Sequence, residues 1–127
     1  MKRSIEYIET VVCAERGISP VRLHTKKQTH DVCFPRQIIM HLALYFENTQ
    51  WSAANYYERE HSTVINGQKV IYNLCDTDKE FKEEINRYKA IIREGVMYRE
   101  INYLSNRVAR LRIEVSEINQ QLNSIAI

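Results

Sequence analysis

Apolar residues recur at helical spacing along most of the chain, which predicts helices rather than strands. Residues 5–12 carry the first such face, and Gly17 stands where a left-handed C-cap would end that helix. Ser19 and Pro20 are typical of an N-cap and a first helical position, so a short second helix is expected. The polar residues 24–30 have no apolar face and predict a loop.

The next segments predict the centre of a small helical bundle. Apolar residues nearly encircle a helix over residues 33–46, a pattern typical of a central helix. Asp31 is expected to cap this helix, and Pro35 is tolerated because it falls near the first turn. Ser52 is expected to cap a short helix, and a further helix is predicted over residues 61–74.

The pattern changes toward the C-terminal end of the chain. Thr77 and Glu80 have the spacing of a capping box, which starts a helix that runs toward Ile92. Gly95 weakens a helix at its position by about 1 kcal/mol relative to alanine. Beyond it, apolar residues fall seven apart in two rows over four heptads, which is typical of a coiled-coil seam. The a row is Ile101, Val108, Val115 and Leu122, and the d row is Leu104, Leu111, Ile118 and Ile125.

These patterns predict two parts, a helical domain over residues 1–90 and a coiled-coil oligomerisation helix over residues 91–127. The length and regularity of the heptads favour self-association over a helix that folds back on its own domain. Mixed branching at the a and d positions leaves dimer, trimer and tetramer open. A parallel dimer would place Arg107 opposite Arg112 of the second helix, so antiparallel pairing or a different partner chain is also open.

Composition places the chain among soluble globular proteins. Of its 127 residues, 44% are apolar and 27% are charged, and only three Gly and two Pro are present, which favours long helices. The net charge of +2 excludes a strongly basic nucleic-acid-binding protein, so any DNA binding must come from a local patch. Residues 22–36, which include Lys26 and Lys27, form the most concentrated basic stretch.

The cysteines and the absence of membrane signals in the sequence favour a cytoplasmic protein. Cys13, Cys33 and Cys75 are odd in number and form no CxxC pair, which is typical of free thiols in a reducing compartment. The first residues mix charges into their apolar positions, unlike a signal peptide. No window approaches the roughly 18 apolar residues that a membrane helix needs. We therefore expect no membrane segment.

The sequence contains no motif that would predict catalysis. It has no paired-carboxylate, nucleophile-elbow or HExxH motif and no glycine-rich phosphate loop. His24, His30 and Cys33 match no common zinc spacing. We expect a protein that is not an enzyme and that needs no cofactor, metal or nucleotide.

A short helix, a charged turn and a second helix with a polar start have the outline of a helix-turn-helix. The stretch REHSTV (residues 59–64) would place a cation, an imidazole and two hydroxyls at a helix N-terminus. These groups suit base edges, and the helix dipole there favours phosphate. Trp51 is expected to pack over the junction of the two helices. Many helical proteins share this outline, so it does not by itself predict DNA binding. Several sequence motifs that occur in a fixed order along the chain are more specific.

Four blocks in order resemble the C-terminal DNA-binding domain of the bacterial replication initiator DnaA. They are RGISPVRL (16–23), PRQIIMHLALYF (35–46), REHSTVINGQK (59–69) and NLCDTDKEF (73–81). The resemblance runs from Val11 to Phe81 and does not include a nucleotide-binding domain, since no GxxxxGK[ST] motif occurs. It implies an all-α helix-turn-helix bundle that binds double-stranded DNA, in replication initiation or its regulation.

By position, the resemblance assigns each candidate residue to one part of a DNA duplex. The residues that would face the major groove are Arg59, Glu60, His61, Ser62 and Thr63. The residues that would hold the phosphate backbone are Arg36, Gln37 and Lys69. The residues beside the minor groove would be Lys26, Lys27 and Gln28, and Gln28 stands where the family carries an arginine.

The chain departs from the family at several points. Gln28 removes about one phosphate-neutralising charge, and Glu60 replaces an aspartate. The segment between Met40 and His61 is shorter than in the family and lacks the usual glycines of the turn. A transcriptional or mobile-element role is therefore open. The alternative hypothesis is an interaction or scaffold protein that keeps the fold, acts through the coiled coil and has lost sequence-specific DNA binding.

Overall fold

The computed structural model describes the backbone of residues 2–125 and the side chains of residues 2–95 and 106–125. Over that range the chain forms seven helices and no strand, so the prediction of an all-α fold is confirmed. The helices are α1 (Ile5–Arg16), α2 (Pro20–Leu23), α3 (His30–Tyr45), α4 (Gln50–Tyr56), α5 (His61–Thr77), α6 (Lys79–Arg93) and α7 (Gly95–Ile125). Contacts divide the chain into an N-terminal unit (Met1–Arg93) and a C-terminal unit (Glu94–Ile127).

The first two helices begin and end where the sequence predicts. Gly17 ends α1 in the left-handed conformation, with a φ of 67°, which a glycine adopts without steric cost. Ser19 is the N-cap of α2, and Pro20 occupies its first position. The loop over residues 24–29 then separates α2 from α3.

Three N-caps differ from the predicted ones. They are Thr29 instead of Asp31, Thr49 instead of Ser52, and Asp78 instead of Thr77. The Thr49 side chain accepts from the Ser52 backbone N–H at 3.0 Å, and the Asp78 carboxylate accepts from the Phe81 N–H at 3.1 Å. Ser, Thr and Asp are nearly equivalent as caps, so the path of the chain selects among neighbouring candidates.

Helix α3 is the centre of the N-terminal unit, as its nearly continuous apolar surface predicts. It packs against α1, α2, α4 and α5, and Ile38, Ile39 and Leu42 are fully buried. Trp51 differs from expectation, because its side chain is 68% exposed. Ala53 and Ala54 occupy the inward face of α4 instead, and Trp51 lies roughly 200° around the helix from Ala53.

The C-terminal unit consists of one long helix. Helix α7 has 31 residues, which corresponds to about 46 Å. Its described side chains, residues 106–125, are all exposed. They include six of the predicted seam residues, Val108, Leu111, Val115, Ile118, Leu122 and Ile125. The side chains of Ile101 and Leu104 lie outside the described part, and the coiled coil stays a prediction. None of the described helices has the length and apolar character to cross a bilayer.

Candidate nucleic-acid interface

A four-residue turn, residues 57–60, joins α4 to α5. Glu58 adopts a left-handed conformation there, with a φ of 53°, and the Arg59 N–H donates to the Ala54 carbonyl at 2.9 Å. A left-handed conformation costs a side chain with a Cβ roughly 1–2 kcal/mol, which explains why glycines are usual in such turns. The chain therefore makes the reversal between α4 and α5 with a strained glutamate.

The first residues of α5 present their side chains to solvent. His61, Ser62 and Thr63 are exposed, and the N-cap Glu60 has an extended backbone and makes no side-chain capping hydrogen bond. Lys69 lies about two turns further along the helix and is also exposed. This end of α5 therefore offers an imidazole, two hydroxyls and the positive end of the helix dipole.

The opposite face of α5 fixes the helix against the bundle. Val64 and Ile71 are buried, and Gly67 between them is buried against α3. A Cβ on Gly67 would lie 3.2 Å from Cγ of Gln37, which is closer than most real Cβ contacts. A side chain at this position would require the Gln37 side chain to move by a few tenths of an ångström. The contact places the half-buried Gln37 beside α5.

The loop over residues 24–29 lies next to the start of α5. A guanidinium Nη2 of Arg59 donates to the Thr25 carbonyl at 3.2 Å. A cleft of about 380 Å³ is lined in part by Lys26, Gln28 and Arg59, and a smaller one of about 150 Å³ by Gln28, Arg59 and Thr63. The structure thus brings the loop and the start of α5 together, although they are far apart in sequence. Lys26, Lys27 and Gln28 are exposed.

Arg36 is buried, whereas the other candidate DNA-contact residues are half-buried or exposed. Its side chain is buried at 3% exposure, and it donates to the carbonyls of Leu23, Thr25 and Lys27. Burial lowers the pKa of Arg36, and the nearby charge of Arg59 lowers it further. A guanidinium held by three carbonyls faces the inside of the loop, and the phosphate contact that the resemblance implies for Arg36 stays a prediction.

A buried carboxylate that the sequence analysis missed lies beneath the same loop. The hydroxyls of Tyr56 and Tyr57 donate to Glu9 at 3.0 and 2.7 Å, and Nε2 of His24 lies 2.8 Å from its Oε2. Burial, followed by the contact with Glu9, raises the pKa of both tyrosines. One signal was available, since Glu9 stands four residues after the buried Ile5, on the inward side of α1.

No group of three His, Cys, Asp or Glu side chains that could hold a metal ion occurs among the described residues. Burial, followed by the charge of Glu9, raises the pKa of the Cys13 thiol to about 11. A thiol with so high a pKa is protonated at neutral pH and is a poor nucleophile or metal ligand.

The residues of this surface lie within a region that matches a known protein family. A family model described as the bacterial dnaA protein helix-turn-helix matches residues 5–71, more than half of the chain. The chain belongs to this DnaA helix-turn-helix family. The resemblance stated from the sequence is therefore confirmed, and the match covers α1 to α4 and most of α5. All candidate DNA-contact residues, from Lys26 to Lys69, fall inside the matched range.

Curated relatives agree with the family match. The chromosomal replication initiator protein DnaA of Wolbachia pipientis wMel is 33% identical over 94 residues, which are 71% of this chain and 20% of that protein. The DnaA proteins of Wolbachia sp. subsp. Brugia malayi and of Campylobacter jejuni subsp. jejuni are each 28% identical, over 71% and 68% of this chain. The matched region spans about a fifth of the length of these relatives.

Proposed function

We propose that the N-terminal unit binds double-stranded DNA without catalysis and reads the major groove with the start of α5. The observation that carries this proposal is the exposure of His61, Ser62 and Thr63 at the N-terminus of a helix inside the family match. Hydroxyl and imidazole groups can pair with base edges in the major groove. Arg59 and Glu60 lie at the same end of α5 and would border this contact.

The phosphate backbone would be held by groups on either side of the reading helix. Gln37 and Lys69 lie on α3 and α5, and Lys26 and Lys27 lie on the loop, with Gln28 toward the minor groove. Because the net charge is only +2, a single domain has little net positive charge with which to attract the phosphates and displace their counterions. We infer that one copy binds DNA weakly and that a useful affinity requires more than one.

We propose that α7 supplies the second copy by self-association. Its six described seam residues are exposed, with Leu111 and Val115 at its centre at 48% and 56%. In a parallel pair Arg107 would face Arg112 of the second copy. In an antiparallel pair g positions meet g positions, so Arg107 can face Glu114. We therefore propose an antiparallel pair. Two linked domains can raise affinity by roughly 10² or more without new contacts.

The relatives are chromosomal replication initiators, and we propose a role in replication initiation or its regulation for this chain in the cytoplasm. The chain carries no phosphate-loop motif, so its part would be to dock on DNA rather than to bind nucleotide. The DNA target sequence would be found by selection from random duplexes followed by sequencing.

A salt titration of DNA binding tests the proposal against the scaffold alternative. Binding through about five phosphates predicts a log–log slope near −4 to −5 between affinity and salt concentration. The near-neutral charge and Gln28 favour the alternative, in which the protein acts only through α7. Affinity for duplex DNA that is absent, or independent of salt, would support that alternative.

The proposal that α5 reads the base sequence is tested separately, on the DNA sequence obtained by selection from random duplexes. Replacing both His61 and Thr63 with alanine should weaken that site by about 1–3 kcal/mol for each lost base contact. Asn73→Ala, on the same helix about three turns away, serves as the control and should leave affinity unchanged. If the double variant discriminates between DNA sequences as well as wild type, α5 is not the reader.

The self-association proposal has a matched pair of variants on α7. Leu111→Asp puts a charge into the seam and should give a monomer in sedimentation velocity. Ile113→Asp adds the same charge at an exposed position outside the seam and should leave the oligomer intact. An intact chain that sediments as a monomer would contradict the proposal.

A further inference from the structure

One buried side chain, that of Arg36, donates to three backbone carbonyls at the end of α2 and in the loop over residues 24–29. The Nε, Nη2 and Nη1 groups of Arg36 donate to the carbonyls of Leu23, Thr25 and Lys27, at 2.7, 2.5 and 2.9 Å. These carbonyls belong to alternate residues, so a single guanidinium fixes the backbone through the part of the loop that carries both lysines. The loop contains no helix or strand, so the regular backbone hydrogen bonds of those elements do not hold it.

The geometry depends on a guanidinium and not on a positive charge alone. Its N–H groups diverge in a rigid planar fork and can meet three carbonyls at once. A lysine ammonium is a compact point charge and cannot span the three acceptors. Arg36 is also buried, and its N–H groups are paired with backbone carbonyls rather than offered to solvent.

A second arginine links the same loop to the reading helix. The Thr25 carbonyl accepts from Nη2 of Arg36 and also, at 3.2 Å, from Nη2 of Arg59. Arg59 directly precedes the N-cap of α5. One carbonyl oxygen therefore accepts from both arginines and connects the loop to the start of α5, the two surfaces that would enter adjacent grooves.

We propose that Arg36 is a positioning residue that presets the loop, so that Lys26 and Lys27 meet DNA in a fixed geometry. Arg36 itself makes no phosphate contact in this arrangement. A loop that is ordered before binding loses less conformational entropy when DNA arrives, and this raises affinity. The inference rests on the proposed DNA binding and assigns Arg36 a different part in it from the one that the family resemblance implies.

A double-mutant cycle in the full-length protein tests the inference with a short DNA duplex of mixed sequence. Arg36→Lys keeps the charge but loses the fork, and it should weaken binding about as much as Arg36→Gln does. Replacing Lys26 and Lys27 with alanine should cost roughly tenfold or more in wild type. The same replacement should cost less than about threefold in the Arg36→Lys background, because the loop is no longer preset.

Lys69→Ala is the control for this cycle, since Lys69 lies on α5 and outside the loop. Its effect should multiply with that of the two loop substitutions, as expected for independent phosphate contacts. If Arg36→Lys keeps wild-type affinity, or if its effect also multiplies, Arg36 is a direct phosphate contact and the inference is overturned. Absence of any salt-dependent binding would overturn the proposed function, and the inference with it.

A measurement on the wild-type protein covers the case in which the Arg36 variants do not fold. The Nε–H of Arg36 should exchange slowly with water in nitrogen-15 NMR spectra, because it is buried and bonded to Leu23. Its resonance should stay in place when the duplex is added, while signals of the exposed loop residues shift. Fast exchange in the free protein, or a large shift of this resonance on DNA addition, would overturn the inference.

Discussion

Two glutamates of this domain occupy positions that are unfavourable for their residue type, one through its backbone conformation and one through the burial of its carboxylate. Glu58 holds a left-handed backbone at a φ of 53°, a conformation that suits glycine. Glu9 is a carboxylate at 5% exposure, and its charge is satisfied by three donors rather than by water. These positions give the clearest opportunities to measure the energetics of individual side chains.

Glu58→Gly should stabilise the N-terminal unit, because it relieves the left-handed strain, and the higher unfolded-state entropy of glycine offsets only part of that gain. We expect a gain of about 0.5–1 kcal/mol in the free energy of unfolding. Gly17→Ala is the counterpart, since Gly17 has a φ of 67° and open space around its Cβ position. It should lose about 1 kcal/mol through backbone strain alone. Urea unfolding measures both, and a loss of stability in Glu58→Gly would contradict the explanation of the turn.

His41 should make stability depend on pH. Burial lowers its pKa below the usual histidine value of about 6.5, the hydrogen bond with Gln68 opposes this shift, and the charge of Lys89 lowers the pKa further. The folded state therefore binds fewer protons than the unfolded state, and stability decreases as pH falls below about 6.5. His41→Gln should flatten this decrease in urea unfolding between about pH 7 and pH 5. Parallel pH profiles for variant and wild type would contradict the prediction.

At the scale of helices, one buried network ties several elements together beneath the candidate interface. Glu9 on α1 contacts His24 at the end of α2 and the two tyrosines at the end of α4. The rings of His24 and Tyr56 also meet edge to face at 5.0 Å. The start of the loop over residues 24–29 and the end of α4 are therefore fixed to the same carboxylate.

Tyr57→Phe should destabilise the protein more than Tyr56→Phe does. Tyr57 is buried, and its removal leaves a buried carboxylate short of a donor, which costs about 1.5–3 kcal/mol. Tyr56 is half-buried, so water can replace its hydroxyl, and the loss should be about 1 kcal/mol or less. Thermal and urea unfolding give the comparison. Equal losses in the two variants would show that the network is open to solvent.

At the scale of the whole molecule, the described residues fall into a packed domain and a long helix whose described side chains are exposed. The fully buried side chains of the described residues all lie between Ile8 and Ile92, within the N-terminal unit. The described part of α7 contributes no buried side chain. Folding of the domain and association of copies are therefore expected to depend on different residues.

Truncation after Glu94 should leave a folded monomer that binds DNA more weakly. The domain keeps its whole described core, so the free energy of unfolding should change by less than about 1 kcal/mol. Affinity for DNA with two sites should drop by roughly 10², because the link between copies is lost. Circular dichroism, sedimentation and DNA titration follow the three properties. An unfolded truncated chain would contradict this division.

The sequence by itself determined the all-α fold, most helix positions and the family. Helical periodicity is a local property with a repeat of 3.6 residues, and Gly17 and Pro20 act on the backbone at their own positions. The four family motifs between residues 16 and 81 can likewise be recognised from the linear sequence alone. The exposure of His61 and Lys69 also followed, because it depends only on which face of α5 is apolar.

Only the tertiary structure decided where Arg36, Glu9 and Trp51 lie. The partners of Arg36 are up to 13 residues away in sequence, and Tyr57 is 48 residues from Glu9. A long polar side chain near the surface can turn outward to solvent or inward to carbonyls, and its own sequence neighbourhood is compatible with both. Its orientation depends on which backbone carbonyls, distant in sequence, lack a hydrogen-bond donor nearby. The packing of the helices determines where those carbonyls lie.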